Sequence, residues 1–415
     1  MTPELTQLLA RLLQPRQLEA LDAAVACAKA RDEGLYLVGG SIRDLFQERR
    51  PGDLDLMTEG DAAPLARAIA EATGGDARVY GRFGTTAVFL DGHRLDVARA
   101  RVETYARPGA LPDVQPGSIE NDLWRRDFTM NALAFGLTGR HGDVLLDPTG
   151  GADDIVNRIV RVLHEGSFED DATRILRGLR YAARLNFSIE ETTRHLMRTQ
   201  ARYLDTISAA RLHSELTFVL EDSSPLRSLE EGESLGVLAA IFSGLSWDRE
   251  RSETARLLET RVGADEYPRR LLMLLCCRVA AGDTGALAER LALARVEARL
   301  VERACAFVTG AGAAEHLPPF ERALWARNFE HEVVETLAPL VLPGLVDELL
   351  AAVNAGSELT GADLLALGVP EGPQVGRVLR QVLLARLNGS VASRDDELAL
   401  ARRIIAEGGL GRTED

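Results

Sequence analysis

Leu35-Tyr36-Leu37-Val38-Gly39-Gly40-Ser41-Ile42-Arg43-Asp44 runs from an apolar segment through a glycine pair into a polar helix start, and Asp53-Leu54-Asp55 follows shortly after. The apolar run reads as a strand ending in a tight turn, with a helix beginning near Ser41. Glycine lets the backbone of such a turn approach a phosphate, and the helix start behind it adds free N–H donors. Arg43 stands where it adds charge-assisted bonds to the same anion. Residues 54–57 read as the next strand. Side chains two apart on a strand face one side, so Asp53 and Asp55 converge on a point where hard oxygen ligands hold divalent cations. Two metals bridging an attacking hydroxyl and a departing pyrophosphate, with an arginine on the developing charge, make the chemistry of nucleotidyl transfer. An Asp-x-Asp by itself is usually a solvated loop and a Gly-Gly usually a plain turn; their order and spacing set this pair apart.

Outward from this pair, the N-terminal third mixes strand and helix signals. Further strands are expected at residues 77–80, 85–90 and 94–98, with Asp91-Gly92 joining the last two as a hairpin. Asp96 falls on the last of these as a candidate third carboxylate, a surface ion pair being the equal alternative. Residues 101–122 contain Pro108-Gly109, Pro112 and Pro116-Gly117 and read as a long irregular loop of the kind that carries function. From Ala152 onward apolar residues recur at three- and four-residue spacing, as in Ile175, Leu179, Ala182 and Ala183, which predicts helices to the C-terminus. Breaks fall at Ser223-Ser224-Pro225, Gly263-Ala264-Asp265, Gly310-Ala311-Gly312 and residues 368–373, without a fixed repeat period.

The chain has 415 residues with 48 basic and 63 acidic side chains, a net charge of −15, and a charged fraction of 27%. That is ordinary for a folded protein of several domains and excludes a disordered tail. No long uncharged apolar run exists and the N-terminus carries charge where a signal peptide would be apolar, so a cytoplasmic protein without membrane contact is expected. Cys27, Cys276, Cys277 and Cys305 lack zinc-ligand spacing and read as core thiols, and His141, His164 and His195 look isolated. Lys29 is the only lysine. Base composition of the genome accounts for that, although the planar arginine fork also suits phosphates and bases.

Four motifs in order, LVGGSIRD, GDLDL, RRDFTMNALAF and FEDDATRILRGLRYAARL, lie between residues 37 and 185. Together they resemble the class II tRNA nucleotidyltransferases and bacterial poly(A) polymerases of the DNA polymerase beta-like nucleotidyltransferase superfamily. The resemblance implies an α+β fold, with a catalytic head of mixed sheet and helices over residues 1–138, then an all-α neck (139–203) that reads the base, a body (204–310) and a tRNA-binding tail (311–415). It places triphosphate contacts on Gly40 and Arg43, and magnesium and catalysis on Asp53 and Asp55; Asp96, read from the strand pattern, is the candidate third catalytic carboxylate. In the third motif it assigns Arg126 to phosphate, and Asp127 and Asn131 to the ribose of the incoming nucleotide. Four apart, Asp127 and Asn131 share a face on a helical turn.

Asp170-Asp171-Ala172-Thr173-Arg174 resembles the family's Glu-Asp-x-x-Arg signature, with Asp170 in place of the glutamate and expected to orient its neighbours. A carboxylate at Asp171 only accepts and a guanidinium at Arg174 only donates. Cytosine and adenine both present an amino donor beside a ring-nitrogen acceptor, whereas guanine and uracil present the reverse and would clash. Asp171 and Arg174 are expected on one helix face, and Arg177 and Arg180 continue the three-residue spacing toward the nucleotide. Arg184 divides evenly between RNA backbone and solvent. Residues 204–220 resemble the family's fifth motif, with Ala210 where glutamate is common, and are expected to support the helices. Gly372-Pro373 opens a tail helix whose Arg377 and Arg380 suit either a phosphate or simple helix packing.

The implied activity is untemplated transfer of CMP and AMP from CTP and ATP to the 3′ end of tRNA, building CCA with Mg2+ as cofactor. Residues 102–124 are not shortened, which points to complete CCA addition over CC-only or A-only addition. Poly(A) polymerases usually carry a basic extension, whereas this chain ends Glu-Gly-Gly-Leu-Gly-Arg-Thr-Glu-Asp. An inactive RNA-binding scaffold would have no need of Asp53, Asp55, Arg126 and Asp171.

Overall fold

β1 (Leu35–Val38) is buried at every position, as an uninterrupted apolar run between two covered faces must be. The computed structural model describes residues 3–80 and 85–407. By contacts these form two units, Met1–Ser243 and Gly244–Asp415.

In the first unit α1 (Pro3–Leu12) and α2 (Pro15–Ala30) precede β1, which leads through Gly39 into α3 (Gly40–Phe46). Next come β2 (Leu54–Thr58), α4 (Ala62–Thr73), β3 (Asp76–Tyr80), β4 (Thr85–Leu90) and β5 (His93–Arg99). The expected hairpin forms: Leu90 pairs with His93, and Asp91 and Gly92 both have positive φ, 44° and 84°, as a two-residue type I′ connection requires.

Residues 101–122 depart from the expected loop. They make β6 (Arg101–Thr104) and β7 (Asp113–Pro116), paired antiparallel, and then lead into α5 (Ile119–Trp124). Pro116 closes its strand opposite Arg101, and a two-stranded ribbon tolerates proline at such an end. At the tip Gly109 has φ +72°, and a Cβ there would lie 2.3 Å from the Thr206 carbonyl oxygen, so the tip is seated on backbone where only glycine fits.

A 3-10 turn (Thr129–Asn131) leads to β8 (Ala134–Gly136) and β9 (Leu145–Leu146), completing a seven-stranded sheet of order β3-β4-β5-β2-β1-β8-β9. Within this sheet, among the described residues, only β2 and β5 pair in parallel. α2 and α4 cover one face. On the other, Ile119 and Leu123 of α5 pack with Tyr36, Val38 and Met57, leaving the part around Asp55 and Asp96 open.

The rest of the unit is helical: α6 (Gly151–Asn157), α7 (Ser167–Asp170), α8 (Thr173–Leu185), α9 (Glu191–Gln200), α10 (Ala209–Leu220), α11 (Pro225–Ser234) and α12 (Val237–Ile241). Short β10 (Ile159–Val160) and β11 (Ser188–Ile189) pair in parallel among them. The second unit runs from α13 (Arg249–Glu259) and α14 (Tyr267–Cys276) to α22 (Arg394–Ala406) and contains helices without strands among its described residues. Cys276, Cys277 and Cys305 are buried there as expected, while Cys27 of the first unit is half-buried. Among the described residues no single helix is long and apolar enough to cross a membrane.

Candidate active site

Parallel pairing of β2 with β5 sets Asp55 directly opposite Asp96. Ser41, in the first turn of α3, accepts from the Asp55 N–H at 2.9 Å and donates to the Asp53 carbonyl at 3.2 Å, fastening the turn to the strand. Burial raises the Asp55 carboxyl to about pH 6, and the charges of Asp96 and Asp53 push the same way against Arg126 and Arg43. Asp53 differs from expectation: it precedes the strand and is exposed. The ion pair weighed for Asp96 also exists, Arg94 Nε reaching its Oδ1 at 2.8 Å. Adjacent carboxylates set side by side by the strand register suit a divalent cation whose other ligands come from phosphate and water. Among the described residues no three His, Cys, Asp or Glu side chains close a metal cage by themselves.

Gly39 has φ +61°, and a Cβ there would lie 2.8 Å from Arg126 Nη1. The glycine turn thus makes room for the guanidinium, which also donates to the Asn131 carbonyl at 3.0 Å. Arg126 Nε and Nη2 rest on Asp122 Oδ2 at 3.1 and 3.0 Å. The other oxygen of Asp122, a fully buried residue, takes Arg125 at 2.6 Å, and Arg125 reaches on to Glu103 at 3.0 Å. Sequence reasoning missed Asp122, Arg125 and Glu103. Asp122 stands three and four residues before the two arginines, a helix-pair spacing that was legible; Glu103 comes from another element and left no such signal.

Arg43, almost fully buried, donates through Nη1 to Asn131 Oδ1 at 2.8 Å. Asn131 Nδ2 donates to Asp127 Oδ1 at 3.1 Å, and Asp127 Oδ2 takes Arg177 at 2.6 Å. Asp127 lies before the 3-10 turn rather than on a helix with Asn131. Both meet as expected, but buried polar atoms must be satisfied, and here they bond to each other and to two arginines. Burial alone would lift the Asp127 carboxyl; the charge and hydrogen bonds of Arg177, with Asn131, more than offset it and hold it below its usual range.

Asp171 is extended (φ −147°, ψ 100°) between α7 and α8, so it does not share a helix face with Arg174. Its Oδ1 accepts from Thr173 N and Oγ1 at 3.0 and 2.7 Å, and from Arg211 Nη2 at 2.7 Å. Arg211, on α10, belongs to the segment expected only to support helices. Arg174 is fixed by the carbonyls of Ser167 and Arg125 at 3.2 and 2.8 Å. A cavity of about 650 Å3 is lined by Gly40, Arg43, Asp55, Asp96, Arg126, Asp127, Asn131, Asp171, Arg174 and Arg177, and also by Tyr181 and Arg184. Asp53 and Arg180 are not part of this lining. Each three-residue step on an α-helix falls about 60° short of a full turn, so Arg180 is roughly 120° round from Arg174; it lies over Phe218 and 3.8 Å from Asp222. Tyr181 and Arg184, at steps of seven and ten, stay on the cavity side. The histidines are not all isolated: His141 bonds Glu120 at 2.9 Å, and His164 lies 3.6 Å from Asp170, which faces it rather than the base-reading pair.

A seven-stranded sheet with paired carboxylates on its open face, joined to an arginine-lined helical neck, defines a polymerase beta-like nucleotidyltransferase head. In agreement, residues 35–161 match the poly A polymerase head domain and residues 186–248 the probable RNA and SrmB-binding site of polymerase A. The chain is 32% identical over 379 residues to the CC-adding tRNA nucleotidyltransferase of Deinococcus radiodurans, covering 90% of each. It is 31% identical over 403 residues to an A-adding tRNA nucleotidyltransferase of Geobacter sulfurreducens, covering 89% of this chain and 45% of that one. The chain spans about half or less of the A-adding relatives it matches, 45%, 55% and 26% of their lengths. The Thermotoga maritima CCA-adding enzyme complexed with tRNA shares the fold with a TM-score of 0.77 at 25% identity, over 97% of this chain and 98% of that one. The chain belongs to the tRNA nucleotidyltransferase family.

Proposed function

We propose that this protein transfers CMP and AMP from CTP and ATP to the 3′-hydroxyl of tRNA, releasing pyrophosphate and completing the CCA end. One observation carries the reading: a single cavity brings Asp55 and Asp96 together with the phosphate-type cations Arg43 and Arg126 and with the acceptor–donor pair Asp171 and Arg174. Asp55 and Asp96, with Asp53 beside them, would hold Mg2+, which when bound supplies charge neutralisation for the attacking hydroxyl and the departing pyrophosphate. Arg43 and Arg126 would bind the triphosphate, and Asp127 and Asn131 would orient Arg43 and Arg177 around it. The three bonds Asp171 accepts all fall on Oδ1, which leaves Oδ2 to accept an amino group, with Arg174 donating to the neighbouring ring nitrogen. Within this reading residues 1–138 carry the chemistry, 139–203 read the base, 204–310 form the helical body and 311–415 hold tRNA.

Partial addition is the second reading, favoured by the CC-adding relative from Deinococcus that aligns over 90% of both chains. Labelled CTP and ATP, offered separately and together with Mg2+ to tRNAs ending at the discriminator base, at C and at CC, decide between them. Growth to CCA and no further supports complete addition; a stop at CC, or acceptance of a CC end alone, supports the partial reading, and long A tails or no incorporation sink both. Asp55→Ala is expected to abolish incorporation while tRNA binding persists, and parallel loss of binding counts against its metal role.

A further inference from the structure

Tyr181 is not among the residues singled out from the sequence, yet four guanidiniums gather round its ring. Their carbons lie 5.3 Å (Arg184), 5.4 Å (Arg180), 5.5 Å (Arg177) and 5.8 Å (Arg43) from its centroid. Arg43 comes from α3 in the sheet region, the other three from α8 itself. The ring is nearly buried, and Phe128 packs edge-on against it at 5.9 Å and 86°, which fixes its plane. Its hydroxyl accepts from Arg177 Nη2 at 3.1 Å.

Four like charges so close repel one another, and the carboxylates offset that unevenly. Arg177 has Asp127 at 2.6 Å and Arg180 has Asp222 at 3.8 Å. Arg43 has its neighbour Asp44 at 2.8 Å. Arg184 is exposed, lines the cavity, and lies over the ring. The negative face of an aromatic ring attracts a guanidinium without neutralising it. A carboxylate in the same place would cancel the charge and repel a phosphate.

We propose that Tyr181 is a positioning residue for the nucleotide's triphosphate: its ring seats Arg184 at the cavity wall with its charge intact, beside Arg43, which Asp44 and Asn131 also hold, so that the anion meets both in place. This rests on the nucleotidyl-transfer reading above. The site then needs no rotamer search by two long side chains when nucleotide arrives, and the contribution is to nucleotide affinity, shared by CTP and ATP because it concerns phosphate and not base.

The test compares Tyr181→Leu, Tyr181→Phe and Arg184→Ala with the full-length wild-type protein. Equilibrium dialysis gives the Kd for labelled ATP and CTP, and steady-state kinetics give kcat and KM for each nucleotide and for tRNA. Tyr181→Leu is expected to raise Kd and KM for both nucleotides about tenfold, with kcat per folded molecule and the KM for tRNA little changed. Tyr181→Phe, which keeps the ring, recovers affinity to within about threefold of wild type. Arg184→Ala, at an exposed position, repeats the affinity loss without touching the core, and so decides the matter if Tyr181→Leu fails to fold. Unchanged nucleotide Kd in Tyr181→Leu or in Arg184→Ala overturns the proposal, as does a fall in kcat with KM constant, or a phenylalanine as damaging as leucine. A wild-type protein that binds ATP but extends no tRNA sinks the reading of function, and the Kd comparison still judges Tyr181.

Discussion

Asp55 and Asp96 stand side by side because β2 and β5, 41 positions apart at these residues, are the one parallel pair in an otherwise antiparallel sheet. Neighbouring strands lie about 4.8 Å apart, which is the spacing at which two carboxylates share a cation or repel each other.

The pH dependence of stability follows from that closeness. A carboxyl raised to about 6 from 3.8 binds its proton more tightly folded than unfolded. Without metal, its contribution is therefore fully present below pH 3.8 and is lost as pH rises through about 6, amounting to roughly 3 kcal/mol over the whole interval. A divalent cation competes with that proton, so added Mg2+ should raise the Tm more at pH 7.5 than at pH 5.5. Thermal melts across this range, with and without Mg2+ and in Asp55→Asn, test it; an equal Mg2+ effect at both pH values contradicts the assignment.

Arg177→Ala leaves the buried Asp127 carboxylate without its main partner. Truncating one side of such a pair costs about 3–5 kcal/mol, readable by urea denaturation. Because Asp127 is held below its usual range, the wild-type contribution is present above the unfolded pKa and is lost as pH falls through the folded value. The wild-type advantage over Arg177→Ala should accordingly be greatest near neutrality and shrink in acid; a constant difference would show that packing, not charge, is responsible.

Arg174 and Arg180 should separate cleanly. Arg174→Ala removes the donor beside Asp171, and discrimination of CTP and ATP against UTP and GTP is expected to fall by one to two orders of magnitude. Arg180→Ala loses its packing on Phe218 and its place near Asp222, costing about 1–3 kcal/mol of stability, while the discrimination ratio stays as in the wild type. Competition assays with all four nucleotides check both.

Asp122→Asn keeps the shape of the side chain and removes the charge that both Arg125 and Arg126 share. Nucleotide KM should rise about tenfold as Arg126 loosens at the Gly39 turn. A KM unchanged within error would mean that Gly39 and the Asn131 carbonyl suffice to hold it.

Local signals in the sequence determined a good deal. β1, the Asp91-Gly92 hairpin and the long run of helices were legible because periodicity and turn chemistry act over a few residues. The ribbon of β6 and β7 was not, since the prolines and glycines of its long connection and strand end read as breakers and masked a local pairing of Thr104 with Asp113 and Arg101 with Pro116. Asp55, Arg43 and Arg126 could be named in advance from a glycine turn, strand alternation and a resemblance carried by four motifs. Spacing in the chain could not show that a three-residue step slips Arg180 round the helix toward Phe218 and Asp222, and it put Asp171 on a helix that begins only at Thr173. What the tertiary structure alone decided is which charges meet. Asp96 faces Asp55 through strand register, Asp127 is spoken for by Arg177, and Tyr181 collects arginines from two parts of the first unit. Each of these depends on a contact between segments far apart in sequence, where a difference of an ångström or two settles whether a charge is paired, shared or left for the substrate.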